Sequence, residues 1–346
     1  MRVFILAYQY LDLEKSIIDE FKKQGHDVFV IYDKELHTDC YKRKGKKGMV
    51  VNFIYNIYNK LSHKYEHYWK QQIRSHKELD QPFDLFFCIQ GVSFDKCLLK
   101  HLRSLNANIK SSLYIWDTNK YYNYFRNAKY FDKVATFDYD DSVQFHVSFL
   151  PFYWIKTNNR NEVKYDVSII GSDHDGRFEI INKLYPLLND NNITNFIRIK
   201  IDNSPYLYLP RWKIKMYKAF QSDKLVKIKE KWNVKKMAPF STFDYMPINE
   251  VNEIIAQTNC IIDTDRETQS GTTPRIIWAL ALGKKVMSTN ANLKKMPFYD
   301  ERQIMIFDRN NPVVDVDFIK SRVEVFKVNK YINELRIDKW IKNFIL

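Results

Sequence analysis

An α/β chain built on two open, mostly parallel sheets is what the sequence predicts, on three observations. Val3 to Tyr32 reads as strand, helix, strand. Phe83 to Ile89 and Cys260 to Ile262 are near-continuous apolar runs, the pattern of strands covered on both faces. Asn259 to Tyr299 reads as strand, loop, helix, strand, with a polar loop ahead of the helix. Such alternation makes parallel strands with helices packed on the sheet faces.

The bounds of the whole chain agree. Its 346 residues suffice for two domains, and 45% hydrophobic with 28% charged residues is a globular balance. Eight glycines and ten prolines argue against long low-complexity segments. No apolar run approaches the length of a membrane span. Met1 to Ala7 is a short apolar stretch broken by Tyr8-Gln9-Tyr10, so it reads as a first buried strand of a cytoplasmic protein rather than a signal peptide. Cys40, Cys88, Cys97 and Cys260 form no close pair, which points away from a zinc or redox motif. The net charge of +14, with 16% aromatic residues, favours an anionic partner: a nucleotide diphosphate, an anionic lipid surface or nucleic acid.

Each element has its own justification. After the strand Val3 to Ala7, Leu13, Ile17, Ile18 and Phe21 recur at helical spacing, Gly25 ends the helix, and Val28 to Tyr32 is the next strand. The first loop lacks the glycine fingerprint of dinucleotide-binding folds. The basic run Tyr41 to Lys47 precedes a long helical pattern from Val50 to His76 with Tyr65, Tyr68 and Trp69 among its rings. That helix suits either an anionic membrane surface or packing on the sheet. Phe83 to Ile89 is a central strand with Gln90-Gly91 at its C-terminal end, where open α/β sheets bind ligands. Asp95 to Leu105 is a helix, Lys110 to Ile115 a strand ending at Trp116-Asp117, and Phe131 to Phe137 a strand ending at Asp138. Asp117 fits a general base at a strand end, or a turn cap. Asp138, Asp140 and Asp141 read as turn and cap residues, with paired carboxylates for a metal as the less favoured alternative.

Tyr153 to Lys164 is polar and reads as a linker. The strand Tyr165 to Ile170 follows, then Gly171-Ser172 and a turn into a helix from Arg177, where Gly171, Ser172 and Arg177 could meet phosphates or Asp175 could simply cap the helix. Ile197 to Ile201 is a strand. Arg211 to Lys236 carries ten Lys and Arg with Trp212, Tyr217, Phe220 and Trp232 among them; a solvated helix face and a membrane- or acceptor-facing patch both fit. Ile248 to Gln257 is a helix, Gln303 to Phe307 a strand, Val316 to Phe326 a strand or short helix, and Tyr331 to Leu346 a final helix.

Within Asn259 to Tyr299, Gly271, Thr272, Thr273 and Pro274 form a helix start, with threonines able to cap and proline at the first helical position. Free N–H groups and the helix dipole favour an anion there, and Arg275 adds a guanidinium fork suited to phosphate. A plain cap in an ordinary α/β domain fits the same residues.

Gln269, Gly271, Thr272, Arg275, Ala279-Leu280, Gly283-Lys284-Lys285, Thr289-Asn290 and Phe298-Tyr299 stand in the order of a known pattern. So do Tyr114, Asp117, Tyr122-Asn123, Phe131-Asp132-Lys133-Val134, Phe137-Asp138, Asp140-Asp141 and Leu150-Pro151. On these residues the stretch from about 110 to 310 resembles bacterial surface-polysaccharide glycosyltransferases of the two-domain GT-B fold, whose layout the spore-maturation CgeB-like proteins share. Trp278 departs from the pattern: it stands where related enzymes carry a Glu that often binds the nucleotide ribose.

The resemblance implies two Rossmann-like domains facing across a cleft. Residues 1–155 would bind the acceptor and 164–328 the nucleotide sugar, while 329–346 would be a helix crossing back to the first domain. It implies metal-independent hexosyl transfer, without a cofactor, from a UDP-sugar to a growing lipopolysaccharide or capsule glycan on a lipid carrier, at the inner face of the cytoplasmic membrane. Gly171, Ser172, Arg177, Gln269, Gly271, Thr272, Thr273 and Arg275 would bind the donor. Arg177, Arg275 and the Gly271–Thr273 helix start would also neutralise charge on the leaving diphosphate. Asp117 would be the base of an inverting reaction, or would position the acceptor in a retaining one. Trp278 keeps open a non-catalytic nucleotide- or glycan-binding homologue. Nucleic acid is not expected as a partner, since no helix-turn-helix, RNP-type or zinc-finger spacing is present.

Overall fold

The computed structural model describes residues 1–33, 63–156, 162–220, 223–321 and 329–345. The chain divides into two compact units. One comprises Met1–Lys156, Thr268–Ile277 and Lys330–Leu346; the other comprises Thr157–Glu267 and Trp278–Asn329. Thr268–Ile277 therefore groups with the first unit, although the chain on either side of it belongs to the second.

The first unit holds a parallel six-stranded sheet in the order β2-β1-β3-β4-β5-β6. Strand β1 (Arg2–Ala7) leads through helix α1 (Leu13–Lys23) to β2 (Asp27–Tyr32). The four apolar residues at helical spacing on α1, Leu13, Ile17, Ile18 and Phe21, are all buried. All five residues of β3 (Leu85–Ile89) are buried because helices cover both faces of the sheet.

The basic run Tyr41 to Lys47 and the expected helix from Val50 to residue 62 lie outside the described residues. The rest is helix α2 (Lys64–Ser75), where Tyr65 and Trp69 are buried and Trp69 Nε1 donates to Ser93 O at 2.7 Å. In this part of the helix those two rings are core, not a membrane-facing stripe. Helix α3 (Lys96–Leu105) is capped by Asp95, which accepts from Cys97 N. Strands β4 (Lys110–Ile115), β5 (Lys133–Thr136) and the two-residue β6 (Ser148–Phe149) complete the sheet, with helix α4 (Tyr139–Phe145) between the last two.

The second unit holds another parallel six-stranded sheet, in the order β12-β11-β10-β7-β8-β9. Its elements are β7 (Tyr165–Ser172), α5 (Arg177–Asp190), β8 (Asn195–Lys200), α6 (Arg211–Ala219), α7 (Asp223–Met237) and β9 (Ser241–Thr242). After these come α8 (Ile248–Ala256), β10 (Thr258–Asp263), α9 (Pro274–Ala281, of which Pro274–Ile277 groups with the first unit), β11 (Lys285–Ser288), β12 (Ile304–Ile306) and the short α10 (Val316–Lys320). The α/β class with two parallel sheets expected from the sequence is the one observed.

Lys330–Leu346 groups with the first unit, and this C-terminal segment is not the one helix read from the sequence. It forms three short ones, α11 (Lys330–Glu334), α12 (Ile337–Trp340) and α13 (Lys342–Ile345). The break has a cause. Trp154 N donates to Leu335 O and Ile337 N donates to Trp154 O, an extended bridge that takes Arg336 out of helical geometry. Tyr153 and Trp154, read from the sequence as linker, are buried for the same reason. Trp340 is fully buried; its Nε1 donates to Pro151 O at 2.9 Å, and its ring centre lies 4.8 Å from that of Tyr114 and 4.9 Å from that of Phe344.

Trp340→Ala removes that ring from the core and should cost about 3–5 kcal/mol, the usual penalty for deleting a large buried aromatic. Urea unfolding should show a lower midpoint with an unchanged slope; a shift under about 1 kcal/mol would mean the tail does not hold the first unit together.

Candidate active site

In the second unit, β7 and β10 are neighbours whose continuations diverge, β7 toward β8 and β10 toward β11. The carboxyl ends of two such strands form a topological switch point, where parallel α/β sheets bind ligands. The sequence-predicted Gly171, Ser172 and Arg177 sit there, on β7 and the turn into α5. Arg177 is buried. Its Nε and Nη2 donate to Thr264 Oγ1 and Thr264 O at 2.6 and 2.5 Å, and its Nη1 donates to Ser172 O at 2.7 Å. The guanidinium thus ties the end of β7 to the loop after β10.

Gly171 makes room for this, since a Cβ there would lie 2.5 Å from Arg177 Nη1. Asp175 is not the helix cap: Asp173 Oδ1 accepts from Phe178 N instead, and Asp173 Oδ2 accepts from Lys235 Nζ at 2.7 Å. Asp175 has left-handed backbone geometry, and its carbonyl accepts from Arg309. Arg309 also donates to Asp265 O and Oδ1. Sequence reasoning missed Arg309. The available signal was its place just after the last strand of a parallel sheet.

In the first unit, Thr268–Gly271 is stitched to the loops at the carboxyl ends of β4 and β5. Thr268 Oγ1 donates to the Tyr121 hydroxyl at 2.6 Å, and Gln269 Nε2 donates to Asp117 Oδ1 at 2.8 Å. Buried Asp138 takes the most. Its Oδ2 accepts from Ser270 N at 2.9 Å and Gly271 N at 3.3 Å, and its Oδ1 accepts from Ser270 Oγ at 2.7 Å. The same Oδ1 caps α4 by accepting from Asp141 N. Ser270 Oγ in turn accepts from Asp140 N at 2.8 Å.

Gly271 lies so close to Phe137 that a Cβ would come within 2.5 Å of its ring and 2.8 Å of its carbonyl oxygen. The room expected to admit a ligand at Gly171 and Gly271 is thus taken by Arg177 and Phe137. Asp138 was read from the sequence as a turn residue. It is also the anion that two amides of the predicted phosphate loop receive.

Beyond that clamp come Thr272, Thr273, Pro274 and Arg275. Thr272 is fully buried, and neither Thr272 Oγ1 nor Thr273 Oγ1 has a hydrogen-bond partner among the described residues. Pro274 opens α9 as expected. Asp117 and Gln269 are brought together, with Gly271 to Thr273 following on the same loop and Arg275 in the first turn of α9. Gly171, Ser172 and Arg177 belong to the other unit. Trp278 is buried on α9. Of the Gly283-Lys284-Lys285 run, Lys285 is structural: its Nζ donates to Phe318 O and Ser321 O at 2.6 and 2.8 Å, at the C-terminal end of α10.

Two further features mark the first sheet's carboxyl edge. Tyr8 and the half-exposed Tyr10 lie against the Trp116 ring, at 6.4 and 6.5 Å between centres. Asp33, just after β2, accepts from Val92 N and Ser93 N at 2.7 and 2.8 Å, yet burial pushes its carboxyl up to about 6 despite these bonds and the Arg126 charge. Burial first, then the Asp138 charge, also raises Asp141, against the amide of Asn119. Among the described residues no group of three or more His, Cys, Asp and Glu side chains is arranged to hold a metal ion.

No family model matches the chain, and no curated protein matches it by sequence. Among solved structures it is similar to an α,α-trehalose-phosphate synthase (UDP-forming) from Burkholderia vietnamiensis, at 10% identity over 100% of this chain and 97% of that one, with a TM-score of 0.49. It is also similar to a sucrose-phosphate synthase from Thermosynechococcus elongatus, at 8% identity over 99% and 92% of the two chains, with a TM-score of 0.47. The Anabaena protein HepE, solved with UDP and glucose, matches at 10% identity over 99% and 95%, with a TM-score of 0.44. Likeness at this level fixes neither a reaction nor a substrate.

Asp138→Asn would turn an NH2 toward the Ser270 and Gly271 amides in place of Oδ2. The loss should be about 3 kcal/mol, since buried donors lose a charged acceptor, and hydrogen exchange at Ser270 and Gly271 should accelerate. Unchanged exchange at both amides would remove Asp138 from this role. For Asp33 the folded carboxyl binds its proton more tightly than the unfolded one. Its contribution is therefore full below about pH 4 and is lost as pH rises through about 6. Urea midpoints of the wild type relative to Asp33→Asn should fall across that window and stay level above it; a rise would contradict the buried environment.

Proposed function

We propose that this protein is a GT-B-type glycosyltransferase that moves a sugar from a nucleotide diphosphate donor, a UDP-sugar, to a hydroxyl of a growing surface glycan. The observation that carries the reading is the bond from Gln269 to Asp117 at 2.8 Å. Gln269 opens the donor-signature loop, and Asp117 is the carboxylate suited to an acceptor hydroxyl. One loop thereby links the group that would manage the acceptor proton to the helix start that would take the leaving diphosphate.

In the reaction, the acceptor oxygen bonds to the anomeric carbon as the bond from that carbon to the diphosphate breaks. Arg275 and the start of α9 offset charge on the departing diphosphate. The acceptor proton passes to Asp117 if configuration inverts; if it is retained, the proton passes to an oxygen of the departing diphosphate and Asp117 orients the acceptor. Gly171, Ser172 and Arg177 shape the loops at the second sheet's switch point, with Arg177 acting through Thr264 and Ser172 rather than through a free guanidinium. The half-exposed Tyr10 ring at the first sheet's carboxyl edge, backed by the buried Trp116 that precedes Asp117, suits a sugar acceptor. The bacterial surface-polysaccharide signature supports a lipopolysaccharide or capsule glycan as acceptor, carried on a lipid at the inner face of the cytoplasmic membrane. No metal is needed on this reading, because the cationic group and the helix dipole already lie on the loop.

Buried Trp278 favours a second reading, a nucleotide- or glycan-binding protein without turnover, because it removes the pattern's ribose-binding carboxylate. A thermal-shift series with UDP, GDP, CMP and dTDP, followed by turnover assays on the nucleotide sugars that bind, separates the two. Stabilisation by UDP with sugar transfer supports the first reading, and stabilisation without transfer or hydrolysis supports the second. No stabilisation by any of the four removes both.

Arg275→Ala should lower turnover at least tenfold, about the loss of one charge-assisted contact of 1.5–3 kcal/mol. A folded variant with wild-type turnover would overturn that assignment.

A further inference from the structure

The second unit carries an unpartnered amphipathic surface on α6. No residue of this helix is buried. Trp212 and Met216 are 61% and 37% exposed, and Phe220, just after the helix, is 79% exposed. At spacings of four residues they share one face. Tyr208, 80% exposed, precedes them. The helix contains Arg211, Lys213, Lys215 and Lys218 and no acidic residue, and none of these four cations pairs with a carboxylate among the described residues. Across Arg211 to Lys236 there are ten Lys and Arg against Asp223 and Glu230.

Helix α7 beside it is differently placed. Its Leu225 is buried, and its Trp232 is spent inward, donating from Nε1 to Asp202 O at 2.7 Å and stacking on Phe243. Of the rings noted in this stretch, Trp232 is therefore an anchor, while Trp212 and Phe220 are displayed.

We infer that α6 is a docking surface for an anionic lipid bilayer, with Trp212, Met216 and Phe220 entering the interface and the flanking cations meeting headgroup phosphates. The chemistry selects this occupant. Large apolar and aromatic side chains beside Lys and Arg that meet no carboxylate among the described residues match a bilayer's acyl boundary and its anionic headgroup layer together. A second copy of the chain docking symmetrically would set these cations against the same cations. A nucleic acid would leave the stripe largely unburied, because its interfaces are polar and charged.

The test is co-sedimentation of the full chain with vesicles of phosphatidylcholine alone and of phosphatidylcholine mixed with phosphatidylglycerol. Binding is expected to the mixed vesicles, to weaken with salt, and to be at least tenfold lower to the neutral ones. Trp212→Ser with Phe220→Ser should lower binding to mixed vesicles at least tenfold. Lys213→Glu with Lys215→Glu should lower it comparably by the other route. Both pairs lie on or just after the exposed helix, so Tm and the nucleotide-dependent Tm shift should stay at wild-type values. That keeps this test separate from the donor reading, which can fail while vesicle binding stands. Absence of binding to mixed vesicles, equal binding to both vesicle types, or binding untouched by both variants would each overturn the inference. So would dimerisation, or binding of single-stranded RNA, that replaces vesicle binding and is lost in the same variants.

Discussion

The Asp138 carboxylate is the interaction on which the candidate site depends. It lies buried at the end of one strand, caps the helix that follows, and accepts two backbone amides and a hydroxyl from a loop more than a hundred residues away. A charge in such a place is tolerable only when its lone pairs are filled, and here backbone donors fill them. Because the amides of Ser270 and Gly271 are drawn onto Asp138, residue 271 is pressed against Phe137 and must be glycine. The same clamp sets Gln269 beside Asp117.

The molecule repeats this device with the sign reversed. Arg177 holds a carbonyl at the end of β7 and a carbonyl and hydroxyl after β10, and Lys285 holds carbonyls at the end of α10. In each case an internal charge satisfies backbone groups left open where a strand or helix stops. Motif residues that look like ligand-binding groups in the sequence thus serve first to shape the loops. Further along the same loop, the hydroxyls of Thr272 and Thr273 have no hydrogen-bond partner among the described residues. Binding energy at such a site goes into contacts with a loop whose form is already set, rather than into ordering it.

The chain's positive charge is also distributed unevenly. Helix α6 has cations and no carboxylates, together with rings turned outward, whereas α2 and α7 turn their Trp residues inward. The three stretches look alike in composition. What separates them is whether a neighbouring backbone carbonyl, Ser93 O or Asp202 O, receives the indole N–H.

The sequence by itself determined the class of fold and the position of most elements. Periodicity of two or 3.6 and helix-start residues such as Asp95 and Pro274 act over a few neighbours and can be read locally. It also placed the loop ahead of α9 and the residues that stand on it. Only the tertiary structure decided what those residues touch: that Asp138 is the loop's anion, that Arg177 is buried on Thr264, that Trp154 breaks the C-terminal segment into short helices, and that Arg309 belongs to the second sheet's edge. Each of these rests on a hydrogen bond between positions far apart in the chain, set by which strand ends the sheets bring together, and no local pattern encodes that choice.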